Sequence, residues 1–172
     1  MRGRAVVVVS LALVCGSGPA NARASDINPL DRAALETVIR SHVGSGRSAD
    51  GQPVEEYADG RHVLVGRGLS VGSSYVAAVY TIETGNTWQI YLAVVDGTSH
   101  RVLADGRVGG KGYRTTRVKA VKDGVIEVEA KYYGPGDAMC CPTVPGTSWF
   151  GVRDGLIWEA EAKIETSRSP EK

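Results

Sequence analysis

The stretches Tyr75-Val-Ala-Ala-Val-Tyr-Thr-Ile82 and Ile90-Tyr-Leu-Ala-Val-Val95 decide the fold. Both are short, rich in β-branched and aromatic residues, and apolar at successive positions. A strand with one solvated face alternates apolar and polar residues; a strand buried on both faces does not. These two segments are therefore expected to be central strands covered on either side.

Outward from this pair the chain continues in the same mode. Candidate strands are His62–Gly66, Ser74–Ile82, Trp88–Val95, Ser99–Ala104, Arg114–Val121, Val125–Tyr133, Thr147–Val152 and Leu156–Lys163. Turn residues separate them at short intervals, which predicts an antiparallel meander. Ile126, Val128, Ala130 and Tyr132 alternate with Glu127, Glu129 and Lys131. A three-residue loop, Lys122-Asp123-Gly124, pairs Val118 with Val128, Ala120 with Ile126, Lys119 with Glu127 and Arg117 with Glu129. That register keeps one apolar face continuous and sets opposite charges across the other. It places Gly124 at the αL position of a bulged turn. Arg153-Asp154-Gly155 repeats the device and pairs Val152 with Leu156 and Phe150 with Trp158.

The region before the strands reads differently. Asn28 is the expected N-cap of a helix with Pro29 at its first position and Asp31 in its first turn. Ala34, Leu35, Val38, Ile39 and His42 share its apolar face, and Gly44 and Gly46 end it. Ser45–Gly60 reads as a polar connector. Residues 1–24 read as a secretory signal: Arg2 and Arg4, an apolar run from Ala5 to Val14, then Ala22-Arg23-Ala24 as the cleavage site. The apolar run is too short for a membrane span, which needs about 20 residues. Val14 stands before Cys15 where a lipid-attachment signal wants a small residue, which disfavours an anchor there. The expected divisions are a signal peptide at 1–24, helix and connector at 25–60, a β domain at 61–165 and a frayed tail at 166–172.

Cleavage removes Arg2, Arg4 and Arg23 from the 20 basic residues and none of the 19 acidic ones, so the mature chain is slightly acidic. That excludes a dominant electrostatic attraction to nucleic acid or anionic lipid. It also removes Cys15 and leaves Cys140 and Cys141, adjacent in sequence and destined for an oxidising periplasmic or secreted location.

Adjacent Cα atoms across a trans peptide lie about 3.8 Å apart, below the usual disulfide range of roughly 4.4–6.8 Å. The residues leave three roles open. The pair can form a ring that stiffens a loop already constrained by Pro135, Pro142 and Pro145. It can act as a redox-sensitive switch, or hold a soft metal with Met139. An intermolecular bridge is a further possibility. Two thiolates and one thioether fall short of the four ligands that zinc favours.

In a meander the connections alternate between two ends. Asp96-Gly97, Lys122–Gly124 and Arg153–Gly155 are short and share one end. The longer loops 83–87, 105–113 and 134–146 share the other, which is where binding is expected. Gly109–Arg114 offers exposed amides with Lys111 and Arg114, a possible anion nest. Candidate binding residues are thus Lys111, Tyr113, Arg114, Asp137 and Met139. His42, His62 and His100 lack metal-ligand spacing, and His42 reads as a partly buried packing residue. Glu127 and Glu129 read as a solvated ladder with Lys119 and Arg117. No Gly-x-Ser-x-Gly elbow is present, and the Asp-Gly pairs read as turn chemistry. Trp88, Trp149 and Trp158 read as core or sheet-face aromatics.

Val108-Gly-Gly-Lys-Gly-Tyr-Arg114 and Tyr132-Tyr-Gly-Pro-Gly-Asp-Ala-Met-Cys-Cys-Pro142, followed by an aromatic strand and a Gly-Leu hairpin, resemble a group of uncharacterised bacterial exported β-rich proteins. Those carry an Asp-Pro-Met-Cys-Cys-Pro-Ser loop. The Cys-Cys-Pro core is also similar to that of LppP/LprE-type envelope lipoproteins. The resemblance spans roughly Tyr75 to Glu159. Ala138 stands where the pattern has Pro, and Thr143 where it has Ser. The resemblance implies location and fold, and carries no activity.

The combined expectation is an α+β, mostly β protein. One N-terminal helix lies on a twisted antiparallel sheet of about seven or eight strands, curled toward a half-barrel. The expected function is that of an exported non-catalytic module without a cofactor, binding an envelope protein or glycan through its long loops. The alternative is redox or soft-metal chemistry at Cys140-Cys141.

Overall fold

The computed structural model describes residues 30–60, 62–71, 74–110 and 114–164. Residues 1–24, expected to be a signal peptide, Asn28, Pro29 and residues 166–172 lie outside these.

Helix α1 (Arg32–Gly44) starts later than Asn28 implies. Asp31 is its N-cap, and the carboxylate accepts from the Ala34 amide at 2.7 Å. An acidic N-cap both satisfies an orphan amide and complements the helix dipole, so Asp31 outcompetes the earlier Asn–Pro signal. Leu35, Ile39 and Val43 are buried along one face, with Ala34 and Val38 beside them. The connector is not wholly irregular: it contains helix α2 (Glu55–Asp59), which carries Tyr57 into the core.

The strands are β1 (His62–Val65), β2 (Leu69–Val71), β3 (Tyr75–Thr84), β4 (Thr87–Asp96), β5 (Arg101–Gly110), β6 (Arg114–Lys122), β7 (Val125–Tyr132), β8 (Val144–Arg153) and β9 (Leu156–Ile164). They form one curled, half-barrel sheet in the order β1-β3-β4-β5-β9-β8-β7-β6. The short β2 pairs with β3 beyond the end of β1.

This order departs from a simple meander. Two antiparallel halves meet where β5 and β9 run parallel, at the Asp105–Leu156 pair. Each half is itself built of consecutive hairpins. The seam requires close backbone approach, and Gly106 permits it: a Cβ there would lie 2.9 Å from the Ile157 carbonyl oxygen.

The double-sided apolarity of β3 and β4 is explained by two cores. On one face Val76, Ala78, Tyr80, Ile82, Tyr91, Ala93 and Val95 pack with α1 and Tyr57. On the other, Ala77, Val79, Ile90 and Leu92 meet Val118, Ile126, Val128 and Phe150 from the second half of the sheet. The sheet curls until its own far strands cover it, so one layer serves two cores.

Both tight hairpins are two-residue turns, not the three-residue loops that the charge pattern favours. Asp123 and Gly124 have φ of 52° and 77°, and Asp154 and Gly155 have 52° and 81°. Positive φ at both positions defines the type I′ turn, which Asp-Gly adopts readily and whose twist matches the strands. The extra residue lies inside β6 instead: Arg117 faces Glu129 and Val118 faces Val128, then the register slips at Lys119 so that Ala120 faces Glu127. The bulge still lets Lys119 reach Glu127 at 2.7 Å, and Arg117 reaches Glu129 at 2.5 Å. In the second hairpin Val152 faces Ile157 and Gly151 faces Trp158, one residue from the expected pairing, with the slip between Trp149 and Phe150.

The two aromatics of that hairpin should separate experimentally. Phe150 is fully buried, whereas Trp158 is 52% exposed. Phe150→Ala is expected to cost about 3–5 kcal/mol and Trp158→Ala less than about 1 kcal/mol. Urea unfolding midpoints at constant slope measure both. Equal shifts would show that Phe150 is not a keystone of the second core.

Candidate functional site

The chain alternation places the connections 85–86 and 133–143, with the end of β5 and the start of β6, at one end of the sheet and the short turns 97–100, 123–124 and 154–155 at the other. The expected division of ends therefore survives the change in topology, but the loops themselves differ. The 83–87 connection is a tight hairpin, because Thr84 pairs with Thr87. Residues 105–110 are strand: Gly109 and Gly110 pair with Ile90 and Gln89, so their amides belong to the ladder region and not to an open nest. Lys111 and Tyr113 lie outside the described residues. Arg114 opens β6 opposite Lys131, beside the base of the cysteine loop.

The cysteine loop is built around Asp137. Its Oδ2 accepts from the backbone amides of Gly134 and Thr143, each at 2.8 Å, and Oδ1 accepts from the Thr143 hydroxyl at 2.9 Å. One carboxylate thus ties together the start and end of the loop. The Gly134 amide, then the Thr143 amide, hold its carboxyl below the ordinary pKa despite some desolvation. Asp137 is consequently a brace for the loop more than a contact surface. Inside the brace, the Cys141 amide bonds to the Ala138 carbonyl at 2.9 Å, and the Tyr133 hydroxyl donates to the Met139 carbonyl. Cys140 and Cys141 form a disulfide across a Cα separation of 3.8 Å. Pro142 is buried, while both cysteines are exposed and Met139 is 70% exposed. The loop therefore holds a thioether and a disulfide at its outer surface on a fixed frame.

A second polar centre lies under the opposite end, and Asp105 is its hub. Asp105 is 1% exposed. Its Oδ2 lies 3.0 Å from His42 Nε2, accepts from the Tyr80 hydroxyl at 3.2 Å and accepts from the Tyr57 hydroxyl. Its Oδ1 accepts from the Ala49 amide at 2.6 Å. With the Tyr57 proton on Asp105, the Tyr80 hydroxyl shares its single proton between Asp105 and the Tyr57 oxygen, and Tyr91 stacks on Tyr80 with centroids 5.3 Å apart. Burial alone would raise the Asp105 carboxyl pKa. The bonds from His42, Tyr57 and the Ala49 amide more than offset it, so the group lies below its ordinary value. Burial, followed by the charge of Asp105, pushes the Tyr57 phenol far up, and burial likewise raises Tyr80. The phenols stay protonated and the carboxylate ionised, which is the state that satisfies every group. With Asp105 ionised, His42 Nε2 carries the proton it shares.

Sequence reading missed this centre because Asp105-Gly106 matches a turn dipeptide. The structure reads it as strand. A bulge at Leu103 shifts the alternation, so that Val102 faces Val95 and Asp105 faces Ala93 on the helix side. His42 on the apolar helix face was the visible half of the pair; its partner was hidden by the bulge.

Beside His42 lies a cleft of about 550 Å³ lined by the C-terminal half of α1, by residues 45–49 and by His100, Arg101 and Val102. Among the described residues no three His, Cys, Asp or Glu side chains are grouped to hold a metal ion. No described helix is long and apolar enough to cross a membrane. Comparison of the chain with known protein families, curated proteins and solved structures finds no match.

Asp105→Ala removes the shared acceptor of His42, Tyr57, Tyr80 and the Ala49 amide, and is expected to destabilise the fold by about 3–5 kcal/mol. Because the folded-state pKa is depressed, the contribution of the carboxylate is fully present above its unfolded value of about 4 and is lost as pH falls through the folded value. Chemical denaturation across pH 2–7 should show an acid-limb slope in the native chain that is reduced in Asp105→Asn. An unchanged slope would place the acid sensitivity elsewhere.

Proposed function

We propose that the protein is an exported, non-catalytic envelope protein that captures a protein or glycan partner with the loop end of its sheet. The observation that carries this reading is the cysteine loop. Its ends are tied by Asp137, its interior by the disulfide, and its exposed tip is Met139 with Cys140 and Cys141. An exposed large thioether on a rigid frame is suited to recognition, because a preordered surface loses little entropy on binding. Export is supported by the signal-like segment and by the disulfide, which persists in oxidising compartments. Lys111, Tyr113 and Arg114 are proposed to extend the surface from the neighbouring loop.

A photo-crosslinking residue at position 139 tests this in cells, with the same residue at exposed Leu64 as control. A discrete adduct from position 139, absent from position 64 and weakened by Asp137→Ala, or retention on purified cell-wall glycan that is lost in Met139→Glu, is the expected result. Absence of both would overturn the reading.

The exposure of both cysteines favours thiol–disulfide exchange as a second reading. In that case Cys140→Ser with Cys141→Ser abolishes function outright, whereas in the first reading the pair of changes mainly loosens the loop.

A further inference from the structure

We infer that the cleft beside His42, at the opposite end from the cysteine loop, is a binding site for a small dianionic ligand, one that presents a phosphate or two carboxylates. Its lining includes Arg47, Arg101, His42 and His100, together with Ser41, and no carboxylate. The nearby acids have hydrogen-bond donors of their own, and Asp96 also faces Arg101 across the β4–β5 ladder, where the two opposite charges attract. Asp96 accepts from the amides of Thr98 and Ser99 at 2.7 and 3.0 Å, and Asp50 accepts from the Ser48 hydroxyl and the Gln52 amide. Asp105 lies behind His42, buried and saturated with donors.

The polar side chains of the cleft are placed by structure. Arg47 is fixed through one terminal nitrogen, which donates to the Gly51 carbonyl at 2.7 Å. A guanidinium has five N–H donors in a planar fork, so this tether orients the group and leaves others for a bidentate acceptor. Arg101 begins β5 and lines the same cleft. His42 is held by Asp105 through Nε2, which leaves Nδ1 as its second hydrogen-bonding atom. His100 follows the 97–100 turn in a left-handed conformation, with φ of 54°. Two arginines lining one cleft with two imidazoles suit a compact group of two negative charges. The C-terminal carbonyls of α1 act against an anion here, so the arginines have to outweigh them.

The cleft's ligand is independent of the partner proposed for the cysteine loop. The test is a titration of the full mature protein with inorganic phosphate, and separately with succinate, following the imidazole proton resonances of His42 and His100 by NMR at constant ionic strength. Saturable shifts of both imidazoles by one of the two anions are expected, and the responding anion assigns the ligand to the phosphate or the dicarboxylate class. Arg47→Gln with Arg101→Gln should weaken that binding at least tenfold. Both positions are solvent-exposed, so the circular dichroism spectrum should be unchanged. No saturable shift with either anion, or equal binding by the native chain and the double variant, would overturn the site. Loss of binding accompanied by unfolding would be resolved by the single Arg101→Gln variant, which must weaken binding while folded for the inference to stand.

Discussion

The structure depends on one buried carboxylate. Four segments distant in sequence converge on Asp105: α1 through His42, the connector through Ala49, α2 through Tyr57 and β3 through Tyr80. Its backbone adds a fifth, since the Asp105 amide bonds to the Gly155 carbonyl at 3.2 Å across the parallel seam. A charge removed from water is tolerated only when its oxygens are fully engaged. The requirement makes the network cooperative: each donor needs the others in place before the carboxylate can be enclosed. The helix layer and the two halves of the sheet are therefore set by the same few atoms.

The two ends of the sheet divide the remaining features. At one end a loop of exposed sulfur side chains stands on its own internal hydrogen bonds. At the other a cationic cleft lies against the network that fixes the helix. The central strands separate them, apolar on both sides and covered by α1 on one and by β6 to β8 on the other. Such a layer is hard to deform, so the two ends are presented at fixed spacing.

Much of this was legible in the sequence. Apolarity at successive positions of Tyr75–Ile82 and Ile90–Val95 announced a doubly covered pair. The Glu127, Glu129, Lys119 and Arg117 pattern announced the outward ladder, and the Asp-Gly pairs announced the tight turns. Bulges obscured the rest. A single inserted residue at Leu103, Val108 or Lys119 reverses the alternation on which face assignment depends, and nothing in local composition marks it. That is why Asp105 read as a loop residue and why the hairpin loops read one residue too long. The seam between β5 and β9 was invisible for another reason: it is a long-range pairing that the short-loop logic of a meander does not contain.

The Asp137 brace has an evolutionary corollary. Because one side chain joins Gly134 to Thr143, the free energy of closing the loop is supplied locally, and Ala138 to Cys141 owe little to the sheet beneath. Changes at the tip are thus uncoupled from folding, and selection is free to alter what is displayed there while the scaffold stays the same. The eleven residues between β7 and β8 behave as an interchangeable cassette, and the same brace would carry a different tip on another hairpin.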